Sequence, residues 1–269
     1  MSNLNLKRLA RDVADLARNP LTEDGIYYYH HEDNITKGTA VIRGPPDSQY
    51  ADGYFVFAID YPAAYPIENP MVKFLTRAPC LGTTECQHLQ PFVRLHPNLY
   101  TKGKVCLSLL GTWEGQPWTA CCNIRTLLTT IQSLLDDNPY AHEPDSHVSD
   151  EKIKSYNEIV QFHSLYDGLA LFARDTLPKL PIPLQATIAP HLTDSIVRTT
   201  ARLAEELPKG ILPNGDRYCS MYNFSTHIDY FLLSALLYSL GSAQTMLAEE
   251  KPEGSEGAKL SKSAGTLSA

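Results

Sequence analysis

The sequence lacks a surplus of positive charge, a phosphate-cradling glycine motif and anything resembling a secretory leader. Its 269 residues carry 23 Lys and Arg against 30 Asp and Glu, a formal charge of −7. Without a basic footprint a phosphate backbone is excluded as the main partner, so no nucleic acid is expected. Without a Gly-rich loop opening a helix, the chain is not expected to hydrolyse a nucleotide, and no cofactor is expected. Met1-Ser2-Asn3-Leu4 runs straight into a charged amphipathic stretch with no apolar core or cleavage site. A reducing compartment, cytoplasmic or nuclear, is therefore expected, where the six cysteines read as reactive or buried thiols rather than disulfide halves. The long uncharged run 230–247 places Ser234, Tyr238, Ser242 and Thr245 on one helical stripe. It reads as a helix of a soluble protein, and no membrane partner is expected.

What is present is a clear order of elements. Leu6, Leu9, Ala10, Val13, Leu16 and Ala17 form one face of a helix that Asn19-Pro20 ends, with Lys7, Arg8 and Arg11 on the other face. Short β-type runs follow at 26–30, 39–43, 54–59 and 72–76. Gly44-Pro45-Pro46-Asp47 and Tyr61-Pro62-Ala63-Ala64-Tyr65-Pro66 are rigid turn material between them. The spacing predicts an antiparallel meander, then a long loop over 77–95. Ile124, Leu127, Leu128, Ile131, Leu134 and Leu135 predict a helix over 123–137, stopped at Asn138-Pro139. The second half reads as helical. Ser149 caps a segment to about 174, a connector holds Pro178, Pro181, Pro183 and Pro190, and helices follow near 193–206 and 226–250. Residues 251–269 have no aromatic and many Ser, Gly and Lys, as a disordered tail would.

The chemistry-bearing stretch is 96–110. It combines a turn at Pro97 and Asn98, a basic loop of Lys102, Gly103 and Lys104, and Cys106 entering an apolar run. Nearby ammonium groups favour a thiolate, and Asn98 offers an amide N–H for a developing oxyanion. A cysteine with a neutral donor and no dedicated base suits thioester exchange; a lone cysteine otherwise reads as a small buried hydrophobe. Cys80, Cys86 and His88 form a poor zinc pattern with no clear fourth ligand, so no metal is expected. Cys121 and Cys122 read as core.

His96-Pro97-Asn98 followed eight positions later by Cys106 resembles the active-site signature of ubiquitin-conjugating enzymes. Gly44-Pro45, Tyr50, Gly53, Phe55, Pro62, Tyr65-Pro66, Pro70, Val72 and Phe74 fall where that family's strands and turns put them. Trp118 and the helix ending at Asn138-Pro139 follow in order. The run 105–113, with Glu114-Gly115-Gln116-Pro117 before Trp118, resembles the large, C-terminally extended subgroup. The resemblance implies an α+β fold: an N-terminal helix, a four-stranded antiparallel meander, an active-site loop and following helices, with an α-helical C-terminal extension. The boundaries would be 1–148 for the catalytic domain, 149–250 for the extension and 251–269 for the tail.

The resemblance also implies roles. Cys106 would take ubiquitin, or a ubiquitin-like protein, as a thioester from an activating enzyme and pass it to the lysine of a protein substrate or to a ubiquitin ligase. Asn98 would stabilise the oxyanion or hold the loop that frames it, and His96 would hold the active-site flap. Lys7, Arg8 and Arg11 would face the activating enzyme, while Ile67 and Ala120 lie in the ligase-facing loops. Two departures stand out. Ser108 replaces an acidic residue common in relatives. Ala141 does likewise, which leaves neighbouring His142 as the candidate acceptor of the incoming amine's proton, against a plain surface histidine. The alternative these departures keep open is a non-catalytic ubiquitin-binding adaptor. A cysteine hydrolase would need a histidine paired with the thiol, and Pro97 locks His96 away from that role.

Overall fold

The computed structural model describes residues 3–79, 92–144 and 149–249. Helix α1 (Asn3–Arg18) precedes strands β1 (Ile26–His30), β2 (Lys37–Arg43), β3 (Tyr54–Asp60) and β4 (Met71–Phe74), which form one antiparallel sheet in chain order. The four-stranded meander is as the sequence predicts. The register sets Tyr27 beside Val41 and Val56 on one face, and Ile42 beside Phe55 on the other. Tyr54, Phe55, Val56 and Phe57 in β3 are all buried, so both faces of the sheet are covered. Phe57 meets Phe74 on one side at 5.3 Å, while Tyr54 stacks on Phe172 at 5.2 Å.

The expected loop over 77–95 is not featureless. β5 (Ala78–Pro79) pairs with β6 (Phe92–Val93) in a short antiparallel ladder. Cys80, Cys86 and His88 lie outside the described residues, as does the tail 251–269. Helix α2 (Ile124–Gln132) is shorter than its apolar pattern. Asn123 caps its start by accepting the Thr126 N–H at 2.9 Å, but at the end the chain tightens into i→i+3 bonds from Leu134 and Leu135. Both leucines stay buried, which is why the periodicity outlasts the helix.

The second half departs further. Helix α3 (Asp150–Leu165) starts at Ser149, whose side chain makes no capping bond, and it continues as an eleven-residue π-helical stretch, Tyr166–Thr176. Helix α4 (Ile182–Glu206) begins inside the predicted proline connector. Pro183 sits in its first turn, where a missing N–H costs little. Pro190 lies within it, at a cost of about 3 kcal/mol. Burial of Leu184, Ile188, Leu192, Ile196 and Leu203 outweighs this, at roughly 1.5–3 kcal/mol each. The helix predicted from 226 starts later. β7 (Gly215–Cys219) and β8 (Phe224–Ile228) form a hairpin first, with Phe224, Thr226 and Ile228 buried at the strand period of two. Asp229 then caps α5 (Tyr230–Glu249) by accepting the Leu232 N–H at 2.9 Å.

These later elements share the core of the sheet, and one buried cluster runs from Leu9 to Leu237. Tyr54 Oη lies 3.2 Å from Ser195 Oγ. Asp52 takes Thr199 Oγ1–H at 3.2 Å and pairs with Arg198. Among the described residues no helix is long and apolar enough to cross a membrane.

Candidate active site

Cys106 is held by the backbone around it. Its N–H donates to the Asn98 carbonyl at 2.8 Å, and Asn98 Nδ2 donates to the Cys106 carbonyl at 2.8 Å. Between them Leu99 bridges Val105, and Tyr100 N–H donates to Lys104 O at 2.9 Å, closing a tight loop. Gly103 turns that loop at φ +94°, and its carbonyl accepts the Phe74 N–H at 2.8 Å, tying it to the end of β4. A side chain at 103 would meet Phe74 O at 2.9 Å, so close approach and φ both demand glycine.

The residues before Asn98 are equally constrained. His96 is fully buried, and its Nδ1 accepts the Asn98 N–H at 2.9 Å. Burial, and then the charges of His142 and Arg94, push its pKa well below the usual histidine value, which keeps the ring neutral. Accepting at Nδ1 assigns the proton to Nε2. Tyr50 Oη–H donates to the Leu95 carbonyl at 2.7 Å.

After the cysteine, a residue that sequence reasoning missed takes over. Thr112 Oγ1 accepts the Leu107 N–H at 2.9 Å and donates to Val105 O at 2.8 Å, bracketing Cys106 on both sides. No spacing rule marks a threonine six positions downstream. Ser108 opens a 3₁₀ turn, Ser108–Leu110, and a Cβ on Gly115 (φ +129°) would stand 3.0 Å from its Cβ. Arg94 and Tyr222, also missed, lie on the other side: the Arg94 guanidinium stands 3.9 Å from the Tyr100 ring centroid and 4.3 Å from that of Tyr222.

Of the predicted residues, His96, Asn98 and Cys106 are thus joined by direct hydrogen bonds. His142 stands next in line: its ring centroid is 4.7 Å from that of His96, and its Nε2 lies 2.7 Å from Asp136 Oδ2. Cys106 is a free thiol, only 2% exposed. The Lys104 ammonium sits over the Tyr100 ring at 5.6 Å.

A second cluster surrounds an open groove of about 470 Å³ lined by Asn5, Lys7, Arg8, Arg11, Pro66 and Ile67. Lys7 and Arg11 are exposed, and Ile67 is 75% exposed. Arg8 is different. Its guanidinium holds Asp12 at 2.9 Å and donates to the Ala120 and Cys122 carbonyls at 2.8 Å each, so it braces α1 against the turn before α2. Trp118 Nε1–H donates to Pro66 O at 2.7 Å and anchors the loop that displays Ile67. Ala120 is exposed. Cys121 is exposed, not the core residue expected, whereas Cys122 is half-buried and packs against the core. Among the described residues no group of three or more His, Cys, Asp or Glu side chains could hold a metal ion.

A helix, a four-stranded meander and a clamped loop that holds one buried free thiol define an α+β domain. The sequence profile of the family described as "Ubiquitin-conjugating enzyme" matches residues 8–164, more than half of the chain. The chain belongs to the ubiquitin-conjugating enzyme family. It is similar to "Ubiquitin-conjugating enzyme E2 Z" of Xenopus tropicalis, 35% identical over 168 residues, covering 61% of this chain and 49% of that protein. The Homo sapiens protein of that name is 36% identical over 164 residues, covering 60% and 42%. "Dual E2 ubiquitin-conjugating enzyme/E3 ubiquitin-protein ligase BIRC6" of Homo sapiens is 35% identical over 145 residues, which are 51% of this chain and 3% of that protein. The chain spans about half the length, or less, of these relatives.

Proposed function

We propose that Cys106 carries ubiquitin, or a ubiquitin-like protein, as a thioester received from an activating enzyme and passes it to a substrate lysine or a ligase cysteine. The observation that carries this reading is a free cysteine clamped between Asn98 on one side and Thr112 on the other. In the first step the Cys106 thiolate attacks the carbonyl of the carried protein's terminal glycine. The activating enzyme's thiolate leaves with the electron pair. In the second, an amine attacks the same carbonyl, gives up a proton and expels the Cys106 thiolate.

Asn98 spends one amide hydrogen on the Cys106 carbonyl. The second hydrogen is left for the tetrahedral oxyanion, so bracing and stabilisation come from one side chain. His96 holds the turn and takes no proton, since burial keeps it neutral. The amine's proton goes to His142, whose ring centroid lies 4.7 Å from that of His96 and whose Nε2 lies 2.7 Å from Asp136 Oδ2. The groove at Lys7, Arg11 and Ile67 receives the activating enzyme and the ligase, and the modified lysine belongs to a protein substrate. A cytoplasmic or nuclear setting follows from a thiol that must stay reduced.

The test is a charging panel that pairs the full chain with different activating enzymes and ubiquitin-like proteins in the presence of ATP. A reductant-sensitive adduct is expected, and Cys106→Ser should give a longer-lived oxyester. An adduct that survives loss of Cys106, or none with any pair, overturns the reading. Discharge to free lysine separates it from a non-catalytic adaptor, which would show none.

A further inference from the structure

We propose that Tyr222, on the turn between β7 and β8, is a positioning residue for Cys106 that acts through Arg94. The inference rests on Cys106 as the acceptor and adds a task for the chain beyond residue 148. The Arg94 guanidinium lies between two rings, 3.9 Å from the Tyr100 centroid and 4.3 Å from that of Tyr222. Tyr100 belongs to the loop that closes on Cys106. Tyr222 comes from the C-terminal hairpin more than a hundred residues later.

The same arginine holds the turn directly, since its Nη2 donates to the Pro97 carbonyl. Its own carbonyl accepts from Tyr156 Oη at 2.8 Å, so α3 grips its backbone while the hairpin grips its side chain. Tyr222 is fixed in turn by its hydroxyl on Glu143 and by edge contact with Tyr156 at 5.9 Å. A planar cation sandwiched between two rings resists both translation and tilt, which an ammonium on a flexible stem would not. The hairpin thereby completes a brace around 94–100, the segment whose Asn98 clamps Cys106. Remove the ring of Tyr222 and one wall of that brace is gone, although no atom of Tyr222 touches the reacting carbonyl.

The experiment uses the full chain with Tyr222→Phe, Tyr222→Leu and Arg94→Lys. Each is scored by amide hydrogen exchange over 96–106 and, with an activating enzyme that charges the parent, by kcat and KM for charging and discharge to free lysine. Tyr222→Phe keeps the ring and should match the parent within about two-fold, whereas Tyr222→Leu and Arg94→Lys should lower kcat about ten-fold with KM for the activating enzyme unchanged. Exchange over 96–106 should quicken in the latter two while α1 stays protected. Parental kcat and parental protection over 96–106 in Tyr222→Leu overturn the inference, as does a Tyr222→Phe protein as impaired as Tyr222→Leu. Should the leucine variant not fold, Tyr222→Gln, which also removes the ring from this half-buried turn position, takes its place with the same expected and overturning results. The exchange arm needs no activating enzyme, so failure of the parent to charge sinks the thioester reading and leaves this one separately decided.

Discussion

Gly168, in the π-helical stretch, lies against Gly53 so closely that a Cβ added at 168 would stand 3.1 Å from the Gly53 Cα and 3.3 Å from the Tyr54 nitrogen. Backbone meets backbone at this point, where the chain after 148 seats on the sheet. Neither neighbour is a side-chain tip that can swing aside. Gly168→Ala should cost about 1–3 kcal/mol by overpacking, and Gly168→Val more. Urea denaturation of the full chain would register the loss; a Gly168→Ala midpoint equal to the parent's would refute the close fit.

Thr112 offers a sharper test of the loop that frames Cys106. Thr112→Val keeps the volume but leaves the Leu107 N–H and the Val105 carbonyl without their partner. A loss of about 1–3 kcal/mol is expected for such half-buried orphans, with slowed charging of Cys106. Thr112→Ser, which keeps the hydroxyl, should restore both.

Arg8 and Lys7 are neighbours on α1 with different fates. Arg8→Ala abandons the Asp12 carboxylate and two carbonyls, and a cost of about 2 kcal/mol is expected. Lys7→Ala removes an exposed side chain and should leave the melting temperature within a degree or so. Its effect should fall on charging by the activating enzyme instead. Equal thermal shifts in the two variants would contradict the bracing role of Arg8.

Stability should decline in acid through His96. Its native pKa is depressed by burial, so below the ordinary histidine value near ~6.5 the unfolded chain binds a proton that the native ring refuses. This contribution is complete above that value and is lost as pH falls beneath it; half-buried His30 shifts in the same direction for the same first cause. Urea midpoints taken at neutral and mildly acid pH should therefore differ, and His96→Gln should flatten the difference.

The alkaline limb runs the other way. Burial raises the phenols of Tyr50, Tyr61 and Tyr156 well above their ordinary value, so the native chain keeps protons that the unfolded chain releases above about pH 10. Stability should fall as pH climbs past that point. An absorbance titration of phenolate should show these rings ionising together with loss of structure. Smooth ionisation of all 15 tyrosines in a folded chain would contradict their burial.

Helix α1 was legible because it buries one face, so its apolar period reports it, and the meander because short β-type runs are set off by rigid turn residues. The run 54–57 was legible as a strand but not as one buried on both sides, since nothing local says that Phe172 will stack on Tyr54. The hairpin at 215–228 was hidden by a Pro/Gly-rich approach and by the apolar helix just after it. Pro183 and Pro190 misled because a proline penalty is local, while the burial that offsets it comes from distant partners. Ser108 and His142 could be named from their places beside a recognisable motif, but nothing in the sequence puts Gly115 over the serine or Asp136 on the histidine.

The sequence alone determined the family, the helix-and-meander order and the identity of the loop that presents Cys106. Those depend on short-range pattern and on one motif of fixed spacing. Only the tertiary structure decided that Arg8 points inward, that Thr112 brackets the cysteine, and that Tyr222 reaches back to Arg94. The reason is physical: a hydrogen bond or a stacked cation has no sequence period. Its partners meet only after the chain has folded around them.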